Sequence, residues 1–156
     1  MALKAYYASA AYDPTVTPRV PLAVEVTAGN CKSMKSTQAT AAADNAASTI
    51  NFGKINRDAR ISRKSDLFAT AMSGLTSFSL GFANSTAALM SAVDIHAGGV
   101  FNMTAPAYAD FVKPAWQLAG YTDENSAPAE LDIIGTMVTA PVQAGAITLD
   151  LFFATN

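Results

Sequence analysis

Between residues 50 and 82 the chain reads INFGKINRDARISRKSDLFATAMSGLTSFSLGF, and apolar and polar side chains alternate through much of it. A period of two puts apolar side chains on one face of an extended strand and polar ones on the other. The stretch predicts strand, tight turn, strand, short loop, strand: an antiparallel sheet with one wet face. Over residues 49–55, Ile50, Phe52 and Lys54 take one side, and Asn51, Gly53 and Ile55 the other. Asn56-Arg57-Asp58-Ala59 is a turn, because Asn and Asp satisfy nearby backbone groups with their own side chains. A longer strand over residues 60–71 has Ile61, Arg63 and Ser65 on one face, and its apolar phase changes near Leu67. A phase change within a strand predicts a bulge or bend. Ser73-Gly74 turns the chain into a third strand, residues 76–82, with Phe78, Leu80 and Phe82 facing one way.

The rest of the chain extends the same pattern. Residues 22–27 (LAVEVT) alternate strictly, residues 31–37 form a short polar edge strand, and the Ala-rich run 38–49 has no amphipathic face and reads as a loop. Residues 83–91 (ANSTAALMS) read as a loop with a helical turn, and Val100 starts another strand after Gly98-Gly99. Pro106 and Pro114 punctuate the next segment, and extended structure is expected over residues 115–119. Residues 121–130 (YTDENSAPAE) form a loop, and residues 131–139 and 144–153 are closing strands. In the last of these Ile147, Leu149 and Leu151 share one face. Short strands separated by turns, with no long helix, predict an all-β fold: an antiparallel β-sandwich of immunoglobulin-like or jelly-roll type.

Residues 1–21 read differently. Pro14, Pro18 and Pro21 each remove a donor and hold the chain extended, so this segment is expected to be an arm preceding a single domain over residues 22–156. Tyr6, Tyr7, Tyr12 and Arg19 make the arm a candidate for docking on another subunit, the alternative being that it packs on its own domain.

At 156 residues the chain is long enough to bury about two-thirds of its unfolded surface as one domain. Only 14% of residues are charged, and the net charge of −2 lacks the basic footprint that nucleic-acid binding requires. The start has no continuous apolar run of the signal-peptide kind, and no stretch approaches the roughly 18 apolar residues of a membrane span. Neither a nucleic acid nor a membrane is therefore expected as a partner.

Catalytic patterns are missing. His96 stands alone beside Val93 and Ile95, with no serine in a nucleophile-elbow context. One His and one Cys do not make a zinc site. The acids Asp58, Asp123, Glu124 and Glu130 sit in turns, and Asp123-Glu124-Asn125 lacks the spacing of an EF-hand. No enzyme activity, cofactor or metal is expected. Cys31 is the lone cysteine, which excludes an intrachain disulfide and fits synthesis in a reducing cytoplasm. Arg57, Arg60, Arg63 and Lys64 form the densest basic cluster, but their parities split them between two faces. Trp116 and Tyr121, near prolines, are candidate partner contacts: a core or interface anchor, or a sugar-stacking platform in a carbohydrate-binding module.

The segment FGKINRDARI, residues 52–61, resembles a pattern in small structural proteins of tailed bacteriophages. There a small hydrophobe, Gly, a basic residue and a hydrophobe precede a short turn and an Ala-Arg-Ile strand start. Ser79-Leu80-Gly81-Phe82, the turn ending at Asp94, and Gly99-Val100-Phe101 fill the later places in that order. The resemblance, over residues 50–153, is to capsid decoration, or cement, proteins with jelly-roll-like sandwiches. It implies a virion protein made in the host cytoplasm and bound to the outside of an icosahedral shell. Its partner would be the major capsid protein, across whose junctions it would sit, with self-association as a dimer or trimer. A tail, baseplate or fibre component of the same kind of particle is the alternative. No catalytic residue is implied.

Overall fold

The structure, a computed structural model, describes residues 31–103 and 112–155. The arm over residues 1–21 and the strand expected at residues 22–27 lie outside the described residues. Among the described residues nine strands follow in order: β1 (Cys31–Thr40), β2 (Thr49–Asn56), β3 (Arg60–Ile61), β4 (Asp66–Ala69), β5 (Phe78–Phe82), β6 (Ser85–Val93), β7 (Gly99–Asn102), β8 (Glu130–Met137) and β9 (Gly145–Ala154). One helical turn, α1 (Ala115–Leu118), and a 3-10 turn over Glu124–Ser126 lie between β7 and β8.

The strands form two antiparallel sheets. The first runs β1-β9-β4-β7, with β3 also paired to β9, and the second runs β2-β8-β5-β6. The expected all-β sandwich is what the chain forms. Alternation builds its core: Ile147, Leu149 and Leu151 of β9 are fully buried, as are Phe78 and Leu80 of β5 and Ile133 of β8. Each buried side chain of this size contributes about 1.5–3 kcal/mol of transfer free energy.

Three irregularities adjust the alternation. In β2, Asn51 pairs with Ile134 and Gly53 with Ile133, leaving Phe52 as an extra residue in a bulge. The bulge turns both Phe52 and Ile55 into the core, where strict alternation had placed them on opposite faces. Gly53 takes φ +132° there, and its N–H donates to Asn51 Oδ1 at 2.8 Å. The strand expected over residues 60–71 is interrupted at residues 62–65, just before Leu67, yet Ile61 and Leu67, which share parity, both point inward. Ser65, fully buried, bridges the gap: its Oγ accepts from Phe152 N at 2.9 Å and donates to Phe152 O at 3.2 Å.

The third irregularity is β6. Phe82 pairs with Ser85 but Leu80 with Met90, so β6 arches against the shorter β5. Its backbone at Ser85, Thr86 and Ala88 lies where a Cβ on Gly81 would be, so only glycine fits at position 81. The arch corrects the expectation of a loop and helical turn at residues 83–91. Ala, Leu and Met favour helix, but pairing with β5 overrides that preference. Two smaller corrections apply. β1 continues past Thr37 to Thr40, and residues 115–118 are helical instead of extended.

Candidate functional site

One depression among the described residues is built around the β2–β3 turn. Asn56 Oδ1 accepts the Asp58 backbone N–H at 2.9 Å, and Ala59 N donates to Asn56 O at 3.0 Å, closing the turn that the Asn-Arg-Asp sequence predicts. The turn carbonyls then meet α1. Ala115 N donates to Ala59 O at 2.8 Å and Trp116 N to Arg57 O at 3.0 Å. A helix start leaves unpaired N–H groups, and here a distant turn satisfies two of them, which explains why a four-residue helical turn persists after Pro114.

A second brace comes from Arg57. Its Nη1 donates to the carbonyl oxygens of Glu124 at 2.9 Å and Ala127 at 3.0 Å, and its Nη2 pairs with Glu124 Oε1 at 3.2 Å. The guanidinium thereby holds the 3-10 turn against the β2–β3 turn. That turn is capped internally, with Asp123 Oδ1 accepting from Asn125 N at 3.1 Å.

Between these braced turns lies an open cleft of about 420 Å³, bordered by Asn56, Asp58, Arg60, Pro114, Trp116, Glu124 and Thr155. Trp116 is half-buried and packs partly against the core, with the cleft beside it. Asp58 is half-buried and Arg60 exposed. Among the described residues, the Asp58 carboxylate, the Arg60 guanidinium and the Trp116 indole N–H have no hydrogen-bond or ion-pair partner. The cleft thus offers an unengaged acceptor, an unengaged cation and an aromatic side chain around one space.

Tyr121 does not join this cleft. It borders a separate depression of about 60 Å³ with Asn84, Pro128 and Asp132. Trp116 and Tyr121 therefore do not form one platform. Tyr6, Tyr7, Tyr12 and Arg19 lie outside the described residues. The basic cluster is dispersed, as its parities predict: Arg57 is turned to Glu124 and Arg60 to the cleft. His96 pairs with Asp94 across the β6–β7 connection, Nδ1 to Oδ1 at 2.7 Å, with both side chains exposed. That hydrogen bond, helped by the His96 backbone N–H, holds the Asp94 carboxyl below the ordinary aspartate value.

The outward face of the first sheet carries a feature the sequence reading missed. Phe68 pairs with Val100 on one side and Thr148 on the other, and Phe152 shares the outward parity of β9. Phe68, Val100 and Phe152 are 39%, 59% and 38% exposed, apolar groups on a face that alternation alone assigns to water. The signals were Phe68 and Phe152, each in the polar phase of its strand.

No protein-family profile matches the chain, and no curated protein matches its sequence. Solved structures do match its shape. One is a chain in the capsid of Ralstonia phage GP4, with a TM-score of 0.61 and 17% identity over 94% of each chain. Another is a chain in the capsid asymmetric unit of cyanophage Pam1, with a TM-score of 0.61 and 10% identity, covering 94% of this chain and 96% of that one. The chain shares its fold with components of two phage capsids.

Proposed function

We propose that the protein is a structural virion subunit that binds the outer surface of an icosahedral phage capsid and stabilises contacts between major capsid proteins. The observation that carries this reading is the end-to-end correspondence with chains from two phage capsids, covering 94% of this chain in both cases. It agrees with the resemblance of residues 52–61 to small phage structural proteins. With β3 and β4 taken as one interrupted strand, the sheet orders become first-eighth-third-sixth and second-seventh-fourth-fifth, which supports the jelly-roll reading. In this reading the subunit performs no catalysis, and its work is contact.

The candidate contact surfaces are the segment holding Tyr6, Tyr7, Tyr12 and Arg19, and the outward face with Phe68, Val100 and Phe152. Each contact needs little affinity, because a symmetric shell repeats it many times. Purified protein mixed with bare capsids of the same phage should bind saturably and raise the temperature at which the shells open. Binding to no form of the shell, expanded or compact, would overturn the proposal. Labelled protein found on tails instead of heads would move the subunit to the tail. Removing residues 2–20 should weaken capsid binding, whereas unchanged affinity would leave the outward sheet face as the contact.

A further inference from the structure

We infer that the cleft beside Trp116 is a carbohydrate-binding site that takes a short neutral oligosaccharide. Its volume of about 420 Å³ lies within the roughly 300–1,000 Å³ of small-ligand sites. A sugar ring has an apolar face of C–H groups and a rim of hydroxyls that both donate and accept. It is recognised by an aromatic surface with donors and acceptors set round it. Trp116 supplies the aromatic surface, Asp58 an acceptor, Arg60 donors, and Thr155 a hydroxyl that does both. The side-chain amide of Asn56 adds a donor, because its oxygen is already held by Asp58 N.

The charges narrow the ligand class. Asp58 repels a phosphate or a carboxylate, and Glu124 already holds Arg57 as its ion-pair partner, so the cleft has no excess of cations for nucleic acids or acidic ligands. Arg60 stands in the same wall and repels a lysine or arginine side chain, which argues against a basic peptide. A neutral, hydroxyl-rich ligand meets neither penalty and uses both signs.

The walls are also pre-set. The Asn56 side chain fixes the β2–β3 turn, α1 is tied to that turn through the carbonyls of Arg57 and Ala59, and Arg57 holds Glu124 in place. A site whose walls are held by partners outside it loses little entropy when a ligand enters.

Trp116 is the only tryptophan, so intrinsic fluorescence reads the cleft directly in the full-length protein. The probes are neutral di- to tetrasaccharides of glucose, galactose, mannose, rhamnose and N-acetylglucosamine, with trilysine and inorganic phosphate alongside. At least one oligosaccharide should shift the emission saturably. Asp58→Asn or Arg60→Ala, at side chains bordering solvent, should weaken that response about tenfold or more, because each removes a charged hydrogen-bonding partner. The site is overturned by silence across the sugars, by a response unchanged in both variants, or by a response to trilysine or phosphate alone. The measurement involves no capsid, so its outcome is independent of the virion reading.

Discussion

Gly135 stands in the middle of β8 with two aromatic rings over it. A Cβ there would lie 2.5 Å from the Phe78 ring and 2.8 Å from the Phe52 ring. One methyl group is therefore an overpacking change at the centre of the sandwich. Gly135→Ala should destabilise the fold by about 1–3 kcal/mol, read as a lower urea midpoint at unchanged slope. An unchanged midpoint would mean that the rings move aside freely. At the other extreme of exposure, Asp94 tests electrostatics. Its pKa is depressed, first by the hydrogen bond with His96, so folding favours its ionised form. Its contribution is fully present above the ordinary aspartate value and is lost as pH falls through the lowered one. NMR titration should give Asp94 a midpoint below that of an unstructured peptide of the same sequence, and His96→Ala should raise it.

The elements separate into those that period two determines and those that depend on distant partners. β8 and β9 were legible because one face of each meets the core, and their alternation records it; β5 was legible from its alternating Phe78, Leu80 and Phe82, although both its faces are buried, and β2 only as far as its bulge. β6 was not, because STAALMSAV carries helix-favouring residues and becomes a strand only by pairing with β5. Nor was α1, whose first N–H groups are satisfied by carbonyls of Arg57 and Ala59, far upstream. The cleft was half legible. Trp116 stood out as a candidate, but its neighbours Asp58 and Arg60 read as turn and edge residues, and only the docking of α1 on the turn brings them together. Arg57 holds that arrangement. Arg57→Ala should lower stability by about 1 kcal/mol, after allowance for its partial exposure, and speed amide exchange at Ser126 and Ala127. Glu124→Ala should cost less, because it removes only the exposed ion pair and leaves both carbonyl contacts. Equal effects would show that the ion pair, and not the carbonyl bonds, holds the turn.

Across the whole molecule, β9 is the strand on which the first sheet depends. It pairs with β1 along ten residues, from Cys31–Ala154 to Thr40–Gly145, and on its other side with β3 and β4. The fold class was readable from the chain, since many short alternating strands admit few other solutions. The strand order was not, because partners more than a hundred residues apart leave no local trace. Ending the chain after Gln143 should abolish folding altogether, leaving a flat circular-dichroism melt and collapsed NMR dispersion. A cooperative melt in that variant would show that the second sheet is stable alone. Pairings this distant also predict slow folding, on the order of milliseconds to seconds by stopped-flow fluorescence. They impose an order on synthesis as well. While a ribosome is still making the chain, β1 has emerged early but its partner has not been translated. The first sheet cannot close until residue 154 is free, so a half-made chain has no finished sandwich, and any surface built on that sheet is confined to chains translated through β9.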